Sequence, residues 1–181
     1  AADRGIALDH NVISSGLREL IEGTAIRRHF RAVFASGFLY DGSDVAIGPA
    51  IAVNYTTKTQ YLFRINKGAL DITDDLAVNA YRRPDERPVP FSNIIFIGDG
   101  ETDIPCFRLV KEQGGHAIAV HPAGDARRAG HTRRLIDEGR VHCAVPADYR
   151  EGAELEHRVL AILDLLAARE RVIARPPETH A

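Results

Sequence analysis

Residues 94–107 read IIFIGDGETDIPCF. Four apolar residues run into Gly98-Asp99-Gly100, and a second acid, Asp103, follows four positions after the first. A chain that needs only a turn can use any Asn-Gly or Asp-Gly pair. Two carboxylates at the end of a buried strand point to a site. Carboxylate oxygens are hard ligands, and one or two of them suit Mg²⁺, which keeps several waters and commonly shares its shell with a phosphate. Asp99 and Asp103 are therefore the candidate metal residues. Gly98 and Gly100 would let the backbone turn sharply and a ligand come close. A turn followed by a helix cap would use the same residue types, so this stretch needs support from elsewhere in the chain.

Two other places offer complementary chemistry. Ser14, Ser15 and Gly16 follow a short apolar run and precede a helical pattern, where free N–H groups and the helix dipole favour an anion. An ordinary helix cap is the plainer reading of the serines. Lys58 stands near a helix N-terminus, where the dipole disfavours a cation. Most such lysines are simply exposed; a phosphate in front of Lys58 would explain its placement.

The elements that must position these residues alternate in type. The first strand is expected at residues 11–14, and Leu17, Leu20 and Ile21 give a short helix stopped by Gly23. A second short helix is expected at residues 24–30. Residues 31–53 read as β, with Asp41-Gly42 as a hairpin turn. Thr56 or Thr57 can cap a helix carrying Tyr61, Leu62 and Ile65, ended by Gly68. Residues 82–90 hold three prolines and five charged residues and read as a surface loop. A strand at 93–97 leads into the acidic turn and a helix at 104–112. Another strand at 116–120 is followed by an Asp125-capped helix ending near Gly139 and a strand at 141–145. Leu155, Val159, Ile162, Leu163 and Leu166 then form one apolar helical stripe. Strands alternating with helices predict an α/β fold with a mainly parallel sheet, and ligands in such sheets bind beyond the carboxyl ends of the strands. One domain over residues 1–175 and a short tail at 176–181 follow from the pattern.

Composition narrows the function classes. The 181 residues are 45% hydrophobic, and the net charge is −2. A chain of this length should bury roughly 70% of its unfolded surface as one domain. No basic footprint for nucleic acid stands out: Arg127-Arg128 and Arg133-Arg134 lie among acids and read as a solvated helix face. No apolar run approaches the ~18 residues that would cross a membrane, and no signal peptide is evident. Cys106 and Cys143 form neither a disulfide framework nor a zinc pattern, which suits free thiols in a cytoplasmic setting. The chain begins at Ala1 and contains no methionine, as expected if its N-terminus was removed or if it is part of a longer reading frame.

VISSG, then NYTTK, then IIFIGDGETD, each at a strand end or helix start, together resemble the haloacid dehalogenase superfamily, and most of all its phosphoserine phosphatase-like branch. The likeness runs over residues 5–120, and GDGETD is its most specific part. It implies a Rossmann-like three-layer core and a Mg²⁺-dependent phosphomonoester hydrolase working through an aspartyl-phosphate on a small phosphorylated substrate. By this resemblance Ser14 matches the hydroxyl that holds the transferring phosphoryl group, with Ser15 and Gly16 beside it. Lys58 matches the lysine that neutralises phosphate and nucleophile. Asp99 matches the acid that binds Mg²⁺, and Asp103 the acid that supports the metal shell. VFASGFLYDGSDV looks like the hairpin this branch carries between the serine and the lysine. Only about forty residues separate those two, too few for a cap domain between them.

The departure from the family is the nucleophile. The expected DxDx[TV] at a strand end is absent; Asp9-His10-Asn11-Val12 lacks a preceding apolar strand and abuts Ser14, leaving no crossover, which needs a dozen or more residues. The nucleophile strand, the general acid/base and any cap are therefore expected upstream of Ala1. That strand is central in the family, so the strands ending at Ser14 and Ile97 are expected to flank a gap. A non-catalytic module that kept the fold without the nucleophile is the alternative. His116, His121 and Cys106 keep structural readings; Asn54 and Tyr55 precede Lys58 and could contact a substrate, with no physical reason in the sequence to prefer them. The substrate and the oligomeric state are not legible.

Overall fold

A computed structural model describes residues 4–173. The fold is α/β, and its strands divide into two three-stranded sheets. The first contains β1 (His10–Leu17), β2 (Phe30–Tyr40) and β3 (Ala46–Ile51); β1 and β2 run parallel, with Val12 opposite Val33, and β2 and β3 form an antiparallel hairpin. The second is all parallel: β4 (Ile95–Gly98), β5 (His116–His121) and β6 (Cys143–Pro146), in that spatial order. The helices are α1 (Arg18–Glu22), α2 (Lys58–Lys67), α3 (Asp75–Asn79), α4 (Ile104–Glu112), α5 (Ala126–Asp137) and α6 (Glu154–Ile173).

β5 shows why the second sheet holds together. Every residue from Ala117 to Val120 is buried, as in a parallel strand covered on both faces. Ala117 and Ala119 pack in a cluster with Phe96, Phe107, Val110 and Leu135, beneath α4 and α5. Ile118 and Val120 point the other way and meet Leu155 of α6. The period-two alternation thus feeds two separate cores. The first sheet packs against α2 through Ala32, Phe34, Val53 and Tyr61, with the Phe34 and Tyr61 rings stacked at 4.9 Å. Ile13 of β1 touches both this cluster and the one beneath α4, so the halves share a core.

Four expectations are corrected. The helix expected at residues 24–30 is only a 3₁₀ turn, Arg27–His29, because Phe30 already pairs with His10 at the start of β2. The hairpin loop is longer than an Asp-Gly turn: Asp41 closes it by accepting from the N–H groups of Ser43 and Val45, and Asp44, not Gly42, takes the left-handed conformation at φ 59°. α2 begins at Lys58 without a Thr56 or Thr57 side-chain cap; Asn54 organises the entry by accepting from the Thr56 and Thr57 N–H groups. Gly68 does end α2, at φ 68°. The strand expected at 141–145 is shifted to Cys143–Pro146, and α3, capped by Asp74, was not anticipated. α4, β5, α5 with its Asp125 cap, and the buried stripe of α6 match. The tail expected at 176–181 lies outside the described residues.

No backbone ladder joins β1 to β4 among the described residues. β1 pairs only with β2 and β4 only with β5, so each has one open edge.

Candidate functional site

The acidic turn is built around Asp103. The residue is 5% exposed, and both side-chain oxygens are engaged. One accepts from the Lys58 ammonium at 2.6 Å; the other accepts from the Asp99 and Gly100 N–H groups at 3.1 and 3.2 Å. The carboxylate therefore clamps its own loop and fixes a lysine from α2, 45 residues away. Gly98 is required for a reason the sequence did not reveal. A Cβ there would meet the Asp103 carboxylate at 2.6 Å, so the glycine makes room for that acid. Lys58 is itself 6% exposed and also donates to the Thr102 hydroxyl at 3.3 Å. Thr102 was missed, although it stands inside the GDGETD motif.

Asp99 contrasts with Asp103. It is exposed, and its side chain has no hydrogen-bond or ion-pair partner among the described residues. It follows β4 directly and offers free, hard oxygens at the strand's carboxyl end. These two acids fit Mg²⁺ unequally: Asp99 is available as a ligand, while Asp103 is committed to positioning. No cluster of three or more His, Cys, Asp or Glu residues suited to a metal occurs among the described residues.

Ser14, Ser15 and Gly16 do not open a helix. β1 continues through Leu17, the register to β2 breaks between Ser14 and Leu17, and α1 starts at Arg18 with only five residues. This corrects the expectation of an anion seat at a helix terminus. Instead the Ser14 Oγ accepts from the Gly16 N–H at 3.0 Å, which leaves the hydroxyl hydrogen free to donate outward. These three residues share no hydrogen bond with Lys58, Asp99 or Asp103.

The remaining candidates have structural surroundings. Cys106 is fully buried, and burial first, with the Asp103 charge second, pushes its thiol up to about 12, so it is no nucleophile near neutral pH. Cys143 is a free thiol as well. His116 stacks obliquely near His142, their ring centroids 5.8 Å apart, and His121 Nδ1 lies 3.1 Å from the Pro122 carbonyl oxygen. Tyr55 is exposed beside the α2 entry. A groove of about 810 Å³ between α4 and the α5–β6 turn is lined by Pro105, Arg108, Lys111, Glu138 and Arg140, and holds none of the motif residues. No helix among the described residues is long and apolar enough to cross a membrane.

No family model matches the chain. It is similar to an uncharacterized protein of Borreliella burgdorferi, 25% identical over 166 residues, an alignment that takes in 82% of this chain and 55% of that protein. The chain thus spans about half the length of the relative it matches.

Proposed function

We propose that this chain supplies the phosphate- and metal-binding part of a Mg²⁺-dependent phosphomonoester hydrolase of the haloacid dehalogenase type, with a Rossmann-like core completed by a further strand. The observation that carries this reading is the buried contact between Lys58 and Asp103 at 2.6 Å. Two distant motifs meet there, with an unpartnered carboxylate, Asp99, on the same clamped turn.

Each residue has a role that its surroundings support. Lys58 brings a positive charge into a water-poor position, where it would balance a phosphoryl group and an attacking carboxylate. Held by Asp103, it pays no reorganisation when the substrate arrives. Ser14, its Oγ already accepting from Gly16, would donate to a phosphoryl oxygen, with Ser15 and Gly16 lining the approach. Asp99 would hold Mg²⁺, which when bound supplies charge neutralisation at the phosphate. The attacking carboxylate would come from outside the described residues, on a strand pairing with the open edges of β1 and β4. Attack by that carboxylate would form an acyl phosphate and release the alcohol; water would then release inorganic phosphate.

The test uses the whole protein with a simple aryl phosphate. Mg²⁺-dependent phosphate release is expected, and Asp99→Asn should abolish it. Undiminished turnover by that variant would remove the metal assignment. No turnover of any phosphate ester by the whole protein would favour a non-catalytic binding module on the same fold. The 181-residue chain by itself is expected to be inactive, with Mg²⁺ binding no tighter than about millimolar for so few hard ligands.

A further inference from the structure

The loop that follows β6 is pinned more firmly than its exposure requires. The Ala147 N–H donates to the His121 carbonyl at 2.7 Å, and the Asp148 N–H donates to the Pro146 carbonyl at 2.8 Å. Arg150 then grips the Asp148 carboxylate with two nitrogens, Nε at 2.9 Å and Nη2 at 2.6 Å, while its own N–H donates to the same acid. This grip holds the Asp148 carboxyl down at about 2. The Gly152 N–H donates to Glu156 at 2.6 Å, where the loop enters α6. Between these anchors stands Tyr149, 71% exposed.

The sheet decides where that ring stands. β4, β5 and β6 are parallel, with Gly98 opposite Ala119 and His121 opposite Pro146. The loops after β4 and β6 therefore leave the same carboxyl edge, and Asp99 and Tyr149 belong to that edge. Desolvation first and the Asp99 charge second raise the phenol above its ordinary value. A large ring kept in solvent on a rigid loop loses little conformational freedom on contact with a ligand. Tyrosine also offers an apolar face with a hydrogen-bonding tip.

Resting on the phosphatase reading above, we propose that Tyr149 determines specificity by packing against the leaving group of the phosphate ester, and that this leaving group carries a ring, sugar or aryl. The Asp148–Arg150 grip is the device that presents it.

Two measurements on the whole protein test this. Tyr149→Trp places a reporter at the position. Relative to the unsubstituted protein, its fluorescence should change on titration with phenyl phosphate or a cyclic sugar phosphate, and much less with glycerol phosphate; the two ring-bearing titrants show which kind of ring is preferred. In turnover, Tyr149→Ala should lower the ratio of kcat/KM for the ring-bearing ester over that for glycerol phosphate about tenfold, mainly through KM. Tyr149→Phe should recover most of the ratio. An exposed side chain is not needed for folding, so an unchanged melting temperature should accompany the loss. Equal responses to all three esters, or an unchanged ratio in Tyr149→Ala, would overturn the proposal while leaving the phosphatase reading intact. A ring-selective fluorescence response in a protein without turnover would instead support Tyr149 and remove the phosphatase reading.

Discussion

β5 and β1 are both short parallel strands with apolar centres, HAIAVH and HNVISSGL, yet their surroundings differ sharply. β5 has a partner on each side and four consecutive buried residues. β1 has one partner and no buried residue; Val12 and Ile13 are only half covered. The sequences do not predict this difference, because burial of a parallel strand is conferred by its neighbours and by the helices over them. The contrast teaches that the second half of the chain is a self-sufficient sheet with helices on both faces. The first half presents an edge whose backbone groups are left without a ladder among the described residues.

The two halves meet at Lys58 and Asp103, and the largest effect is expected there. Lys58→Ala would leave a buried carboxylate without its counter-charge, which should cost about 3–5 kcal/mol, read by urea unfolding. Asp99→Asn, on the same turn but exposed and unpartnered, should stay within about 0.5 kcal/mol. Equal losses would mean that the turn does not divide into a positioning acid and a ligand acid. Next in size, Ile118→Ala in β5 should cost about 2–5 kcal/mol, because the residue is fully buried. Val12→Ala in β1 should cost less than about 1 kcal/mol, since much of its side chain already meets water. A loss at Val12 rivalling that at Ile118 would erase the distinction between the halves.

Hydrogen exchange sharpens the same contrast without mutation. Amides of residues 117–120 should exchange roughly a hundredfold or more slowly than those of residues 11–13 and the open side of β4, since local opening needs far less energy at an unpaired edge. In the whole protein a strand pairing at those edges should protect them. Persistent rapid exchange there would argue against that strand.

The parts legible in the sequence were those with strong local signals. α4 and β5 follow from periodicity, α5 from its Asp125 cap, and the end of α2 from Gly68. A resemblance put Lys58 and Asp103 in one site, but their contact was not legible, because a 45-residue separation has no local signature. That Asp103 is buried and clamped while Asp99 is exposed emerges only from the folded turn, and so does the reason for Gly98: its close approach to Asp103 exists only once the turn has folded. The helix start expected at Ser14 was misplaced because a β-bulge and a helix start share small polar residues. Tyr149 escaped notice since its place depends on β6 lying beside β5. α3 was hidden because its anchor is a buried arginine, Arg64, which donates to the Asp71 and Asp74 carbonyls at 2.7 and 3.0 Å.

The smallest effect concerns the opposite edge of the parallel sheet, where His116 and His142 lie. His142 Nδ1 accepts from the Ala117 N–H at 3.0 Å, so that nitrogen must be unprotonated in the native state. Burial, and then the Lys111 charge, lower the His142 pKa; burial, then His142 and Arg169, lower that of His116. A histidine with a lowered native pKa binds fewer protons folded than unfolded, so its contribution is complete above the ordinary value of about 6.5 and declines as pH falls through the lowered native one. Stability should therefore drop as pH falls below about 6.5, towards the lowered native values. Asp148 has the same sign but acts only as pH falls from the ordinary carboxylate range towards about 2, below this window. His142→Asn keeps an acceptor near the Ala117 N–H without a titrating ring. Thermal melts of that variant should show a shallower loss over the same range, and a slope identical to that of the unsubstituted chain would remove His142 from the account.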